Sequence, residues 1–598
     1  MIKKMTKYSI ITFQPELMQF LDKLQELGMM DVTRSNRAFD DISKSSFDAA
    51  RRYKEAIKNL NLFIEKHKDI KAKEVNFEDT ESALKTFEQL FSEIPSLNLQ
   101  KYNLNKETEE ALLWGDFSSN DIEKIRKMGL IPHFYQVSEK KYKTSWEEKY
   151  PIMKLNTAKG KCCFVIVTPS KEEYSFALQE SKFPEKNVNE YVAEVQSINN
   201  KIDENIRIIM GLTKYLPDFK KQYSITMEEL DKYFAFESSS KKVDNTIGII
   251  EGFAPAESDF LVKEFLDKND VIYLTEAAKA EDNPPVKLKN NSFAKLFEPI
   301  GNLYMLPKYD ELDLTPYFAP FYMLFFGLCL GDMGYGLILI LISLFVIWKL
   351  PKMRGYGKLI LMLGIGTVIM PALNGTFFGT KIYDIMLLPD SINNLFFSDI
   401  KMFWFAIIFG IFQIIFARLV SAIHAIIKKG WQYGMRDIGW SIILIWISFA
   451  YAGSQTGEKM LSPIMNYILG GGGLFLVLFF SKTNGNIFKR FIKGVISLYD
   501  ITGFFGDILS YIRLFGLGTS GGILGMVVNS VAMQLTGVPY IGWGLCIIML
   551  IIGHTFVLLL CSLGAFVHPM RLTFVEFYKN VGFSGGGKEY KPLKKEKE

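Results

Sequence analysis

The sequence predicts a two-part molecule. An α+β soluble half, with two small α/β lobes joined by a long antiparallel coiled-coil arm, precedes an all-α membrane half of about eight transmembrane helices. Three observations predict this. Residues 1 to about 313 are rich in Lys, Glu, Asp, Asn and Ser and hold no long apolar run. From Tyr317 onward, apolar runs follow one another, each long enough for a hydrocarbon core of about 30 Å. The whole-chain averages of 49% hydrophobic and 22% charged residues therefore describe neither half.

KYSIITFQPELMQFLDKLQELGMMDVTRS reads as strand, helix, strand, with Leu17, Phe20, Leu21, Leu24 and Leu27 at helical spacing and Gly28 as the stop. Charged stretches with helical periodicity run from about Ser45 to Phe91 and from Asn187 to about Phe234, and such a separated pair suits the antiparallel arm. Between them, LIPHFYQV and KCCFVIVTP read as strands of the second lobe, near 130–185. After the second stretch, NTIGIIEGFAP, a helix from about Ser258 and DVIYLTE repeat the opening pattern, so residues near 1–45 and 245–290 are expected to form one lobe. This shape suits a strut better than an enzyme.

Composition narrows the function further. A net charge of +5 is small for 598 residues, and no basic, aromatic-interleaved patch points to nucleic acid. Of the five cysteines, Cys329, Cys546 and Cys561 lie in apolar segments, while Cys162 and Cys163 are adjacent in a strand. Neither a disulfide frame nor a zinc site is implied, and a reducing compartment is expected. The N-terminus has lysines but no apolar signal core, so a cytoplasmic soluble half is expected. There is no GxxxxGK[ST], HExxH or GxSxG, and the lysine of SGGGKEY lacks both the Ser/Thr and the preceding strand of a phosphate cradle. No cofactor is expected.

The apolar segments are roughly 317–349, 357–379, 401–426, 434–453, 463–481, 499–536 and 541–568. The first is interrupted by GDMGYG at 331–336, leaving either one long broken helix or two short spans. Stretches 349–358, 428–436 and 482–493 are basic, whereas 381–400 carries three aspartates against one lysine. If 317–349 crosses twice, every basic loop and both termini fall on one side, so eight spans with cytoplasmic termini satisfy the positive-inside rule.

Arg513 lies near the middle of 499–536, where a charge costs about 2.5–3.5 kcal/mol on insertion scales. It is either one half of a structural ion pair, with Asp507 or another helix, or an ion-pathway residue. Arginine suits the second role because its guanidinium stays charged beside any carboxylate. Gly518, Gly521, Gly522 and Gly525, after Gly516, form overlapping small-xxx-small pairs that permit close helix approach, in the bundle or to another protein. In the last segment His554, Cys561 and His568 recur every seven residues, with Ser562, Arg571 and Glu576 nearby. Each histidine alone reads as a packed residue, while together with Ser562 and Arg571 they read as a hydrated path. Asp332 at a turn, and Arg418 and His424 late in their helix, are weaker candidates.

LSYIRLFGLGTSGGIL, GAFVHPMRLTFVEFY and FFGLCLGDMGYGLIL resemble signatures of the membrane subunit of rotary V-type ATPases, subunit a in eukaryotes and subunit I in archaeal and bacterial V/A-type enzymes. PPVKLKNNSFAKLFEPIGNLYMLPKYDELDLTPYFAPF resembles the family's linker into the membrane, and the resemblance covers essentially the whole chain.

The resemblance implies a non-catalytic stator that translocates H⁺ or Na⁺ while partner subunits handle ATP. Its implied partners are a rotating proteolipid ring carrying a membrane carboxylate, peripheral stalk subunits on the soluble domain, a central-stalk connecting subunit and the bilayer of the cell membrane. Arg513 matches the family's essential arginine on the seventh span and Arg571 the second arginine on the eighth. Asp507, Ser510, His554, Ser562, His568 and Glu576 are the candidate half-channel lining, and Gly518, Gly521, Gly522 and Gly525 the candidate packing row toward the ring. Two positions depart from eukaryotic relatives: Gly521 stands in place of a histidine and Cys561 in place of a glutamate. The expected division is a cytoplasmic strut domain at 1–313, a membrane domain at 314–580 and a cytoplasmic tail at 581–598. A secondary transporter with a cytosolic domain is the rival reading, but no internal repeat is visible in 317–580.

Overall fold

Asp40, Asp79 and Asn187 set where three long helices begin, each side-chain oxygen accepting from the backbone N–H three residues on. The computed structural model describes residues 1–33, 40–115, 117, 119–170, 174–242, 246–382, 396–456, 461–481, 487–537 and 539–595. The chain divides into two compact units, Pro15–Glu26, Arg34–Ser239 and Lys594–Glu598 in one and Met1–Gln14, Leu27–Thr33 and Ser240–Leu593 in the other.

In the first unit, helices Asp41–Lys66, Thr80–Trp114, Val188–Gly211 and Leu216–Ser238 share a core that includes Leu60, Phe87, Ile209 and Phe219. The pairing is antiparallel across long sequence separations. Glu93 meets Asn205 at 3.1 Å, Tyr53 meets Phe219, and Asp40 accepts from the Tyr233 hydroxyl. Each predicted helical stretch is thus two helices, broken at 67–79 and at 212–215. The same unit holds an antiparallel sheet in the order Leu130–Ser138, Lys161–Pro169, Ile152–Ala158. Lys159 (φ 52°) and Gly160 (φ 73°) close its hairpin, the left-handed pair a two-residue turn needs. Cys162 and Cys163 are both buried but point to opposite faces, into separate clusters.

In the second unit, Met5–Phe13 pairs antiparallel with Ile247–Pro255 on one side and Ile272–Ala277 on the other. Met5, Tyr8 and Ile10 are buried in this sheet. The segment after the last long helix returns to the same lobe. Val286 pairs in parallel with Glu589, Tyr590 donates to the Met29 carbonyl, and Leu593 N–H bonds Met30 O at 2.8 Å. SGGGKEY thus has a packing role: a Cβ on Gly587 would lie 1.9 Å from Pro307 O.

Among the described residues, six helices are long and apolar enough to cross a membrane: Pro351–Ala372, Asp399–Lys429, Trp431–Ser454, Pro463–Phe480, Ile487–Leu535 and Gly542–Val581. Two shorter apolar helices, Thr315–Leu330 and Met333–Lys349, precede them. They meet at Gly331 (φ 69°) and Asp332, where the predicted interruption falls. Met323 and Gly327 pack on Gly366, and Leu328 and Gly331 lie beside Pro371, so the first short helix runs parallel to Arg354–Ala372. Gly336 faces Thr367, Ile340 faces Gly364 and Ile347 faces Gly357, so the second runs antiparallel to it. The chain reverses at 331–332. Most of the acidic loop 381–400 and Lys482 of the basic stretch 482–493 lie outside the described residues.

Candidate functional site

Tyr511 joins helices Asp500–Ser510 and Ile512–Leu535 and fixes the position of Arg513, two residues on. Its side chain is fully buried, its hydroxyl donates to Gln413 Oε1 at 2.7 Å, and its ring fills the space left by Gly410. Arg513 is half-buried, and its Nη1 is buried without a hydrogen-bond partner among the described residues.

The structural ion pair with Asp507 does not form. The Asp507 carboxylate is taken by Lys579 Nζ at 3.0 and 3.4 Å and by Asn580 Nδ2 at 2.9 Å. Asn580 also donates to the Glu576 carbonyl at 2.7 Å. Glu576 lies in a π-helical turn, Leu572–Phe577, which follows Pro569 and re-aims the chain after Arg571. Its carboxylate is buried, near Ser510 and within electrostatic reach of Arg571, and its Oε2 has no partner among the described residues. Beyond Asp507 opens a cavity of about 330 Å³ lined by Arg418, Arg436, Asp437, Asp500, Asp507 and Lys579. Arg418 and Asp437 pair at 3.2 Å, with the guanidinium 4.8 Å over the Phe504 ring. Arg418 is therefore a largely buried ion-pair partner.

A second polar cluster forms where the chain reverses. Asp332 is fully buried and accepts four backbone N–H groups: Gly334 at 2.8 Å, Tyr335 at 3.3 Å, Phe378 at 2.9 Å and Gly379 at 2.7 Å. The last two belong to the tip of a hairpin, Thr376–Phe377 with Thr380–Lys381, turned by Phe378 (φ 46°) and Gly379 (φ 75°). Asn529 Nδ2 donates to Phe378 O at 2.6 Å, and Asn529 Oδ1 lies 3.0 Å from His554 Nε2. His554 Nδ1 lies 2.9 Å from the Tyr335 hydroxyl.

Helices Ile512–Leu535 and Gly542–Arg571 pack together, with Arg513 and Arg571 at one end of the pair and Asn529 and His554 farther along it. At 1.5 Å per residue, Arg513 to Asn529 spans about 24 Å and His554 to Arg571 about 25 Å. Between them the packing is close. A Cβ on Gly518 would lie 2.3 Å from Leu328 O, one on Gly521 3.0 Å from Leu330 O and 3.3 Å from Cys561 Sγ, and one on Gly525 2.9 Å from Gly379 Cα. These three glycines meet their own chain, Gly522 has only Thr376 Cγ2 nearby, and Gly516 faces open space. His568 lies within electrostatic reach of both Arg513 and Arg571; Arg571 is exposed, and Ser562 Oγ is buried without a partner among the described residues.

The structure thus gathers Asp507, Ser510 and Glu576 near one another, puts His568 with the two arginines, and places His554 in a separate network. Sequence reasoning missed Asn529, Tyr335, Lys579 and Asn580 and underrated Asp332. A polar Asn529 in an apolar run was the one available signal; the others find their distant partners across 46 residues or more.

The family described as V-type ATPase 116kDa subunit family matches residues 16–365. A Borreliella burgdorferi protein named V-type ATP synthase subunit I is 27% identical over 635 residues, covering 100% of both chains. A Methanocaldococcus jannaschii protein named A-type ATP synthase subunit I is 29% identical over 524 residues, covering 81% of this chain and 72% of its own. A Chlamydia pneumoniae protein named V-type ATP synthase subunit I is 21% identical over 652 residues, covering 96% of this chain and 94% of its own.

Proposed function

We propose, from the premise that this chain belongs to the V-type ATPase 116kDa subunit family, that it is the ion-translocating stator subunit of a rotary V/A-type ATPase. It carries two half-channels that face a rotating ring of carboxylate-bearing subunits, while partner subunits perform the ATP chemistry and the ion is H⁺ or Na⁺. The observation that carries this reading is Arg513. Its guanidinium is half-buried with Nη1 unpartnered among the described residues, and the nearby carboxylate of Asp507 is neutralised by Lys579 instead. A permanent charge in that setting needs a partner, and a second protein bringing a carboxylate supplies one.

The two clusters are the half-channels. The cavity at Asp437, Asp500 and Asp507, leading to Glu576, Ser510 and Arg571, is the cytoplasmic one. Tyr335, His554 and Asn529 line the external one, with Ser562 and His568 on the path between. The close glycine contacts at 518, 521 and 525 separate them, so ions cross only on the ring. Chain reversal at 331–332 supports two short crossings and hence eight spans with cytoplasmic termini. It also puts the 331–336 turn and the 376–381 hairpin on one side, where Asp332 joins them. The antiparallel helix pairs at 41–238 are the strut bound by peripheral stalks, with a central-stalk connecting subunit as a further partner. On this reading 1–313, 314–580 and 581–598 are strut, membrane domain and tail.

Arg513→Ala and Arg513→Lys test the reading in the purified complex, reconstituted in vesicles with separate H⁺ and Na⁺ controls. Both are expected to retain the subunits and lose ATP-driven ion transport. Normal coupled transport by the alanine variant would discard the mechanism.

A further inference from the structure

Asn529 is half-buried in an apolar helix and touches no candidate ring-facing group, yet both ends of its amide are engaged. An amide can be turned over, so its orientation follows from what it faces. On one side is the carbonyl oxygen of Phe378, which can only accept. That carbonyl cannot swing away, because Asp332 binds the N–H groups of both Phe378 and Gly379. Asn529 must therefore present its NH₂ to Phe378 and its oxygen to His554. Facing an amide oxygen, His554 Nε2 has to carry the proton; Nδ1 is then bare and accepts the Tyr335 hydroxyl.

We infer that Asn529, aimed by the Phe378 carbonyl, is a positioning residue that holds neutral His554 in the Nε2–H tautomer, so that the imidazole gains and releases its transferable proton only at Nδ1. Asn529 Oδ1 accepts a hydrogen bond but cannot pass a proton on, which closes the Nε2 side. A second proton adds at Nδ1, leaving Nε2–H intact. The Tyr335 O–H turns away without breaking, and its oxygen accepts the new N–H. Asp332 lies within electrostatic reach of the imidazole, and Cys561 lies near Tyr335. The inference rests on the half-channel reading only for its consequence in transport; the tautomer stands on geometry alone.

The test uses the whole complex in lipid, labelled with ¹⁵N-histidine and observed by solid-state NMR at about pH 8, above the ordinary imidazole range. Loss of a signal pair in His554→Gln assigns the residue. The wild type should show Nε2–H alone. Asn529→Leu should bring in the Nδ1–H form and lower coupled transport about tenfold, the scale of one buried hydrogen bond. Tyr335→Phe should keep Nε2–H, because Asn529 remains. An unchanged tautomer in Asn529→Leu, or a switch to Nδ1–H in Tyr335→Phe, would overturn the assignment. Transport by His554→Gln judges the other claim separately: undiminished pumping removes His554 from the ion path and leaves the tautomer result standing.

Discussion

The two polar clusters of the helical bundle, one at Asp507 and one at Asp332, solve the same problem in opposite ways. Around Asp332, burial is complete and the carboxylate's four donors are all backbone N–H groups, so the charge is spread over a rigid turn. The onward contacts run through neutral side chains. Around Asp507, the partners are side chains, one of them a lysine whose side chain is 57% exposed, and a cavity opens beside them. The first arrangement holds geometry; the second tolerates rearrangement and water. A buried polar group loses most when its partners cannot be replaced by solvent, so the same substitution should act very differently in the two places.

Asp332→Ala is the strongest way to test that contrast. It strips four N–H groups of their acceptor at roughly 1–3 kcal/mol each, so we expect a loss above about 4 kcal/mol. The complex should fail to accumulate or should melt far below wild type; a thermal midpoint within a few degrees of wild type would contradict the rigid-turn account. Next comes Glu576→Gln, which keeps shape and removes a titratable group. Transport should fall on the order of 100-fold, the scale of a positioned proton donor or acceptor, while subunit recovery stays normal. Asp507→Ala ranks third. It leaves Lys579 without a partner, but that lysine reaches water, and buried Asn580 keeps its bond to the Glu576 carbonyl, so a loss of about 1–2 kcal/mol is expected. If Asp507→Ala proved as damaging as Asp332→Ala in the same thermal assay, the distinction between the clusters would fail.

The smallest effect belongs to a surface carboxylate that contrasts with both. Lys289 and then Lys3 hydrogen-bond Glu257 and hold its pKa at about 2, against an ordinary value of 4.5. A depressed carboxylate stabilises the folded state above pH 4.5, and the contribution is lost as pH falls from there toward 2. Glu257→Gln should therefore lower the full chain's stability slightly at neutral pH, flatten the acid limb of its stability curve between pH 4.5 and 2, and converge on the wild type at the acid end of that window.

Apolar run lengths made most of the membrane half legible, and the interruption at GDMGYG falls on the reversal at Gly331 and Asp332. The 357–379 segment read as one run, but its helix ends at Ala372, because 376–381 turns into a hairpin whose strands are two residues each. No periodicity can announce so short an element. Arg513 was conspicuous because charge in an apolar run is costly wherever it occurs. Asp332 was not, because its value comes from N–H groups 46 and 47 residues away. The same limit hid Lys579, an ordinary basic residue until Asp507 is folded against it. Local chemistry shows in sequence; partnerships made by chain reversal do not.

The returning segment at 584–593 has a mechanical consequence. A single peptide linker between a lobe and a helical bundle is a swivel, free to twist about its own axis. Here the polypeptide passes between the Met5–Phe13 sheet and the apolar helices twice, once through 278–314 on the way in and once through 582–593 on the way out. The two passes are bonded to each other at Val286 and Glu589 and at Leu306 and Gly587. Two tethers side by side resist twist as one cannot, so a sideways load on the lobe reaches the bundle as a shear across paired backbone and not as rotation about a thread.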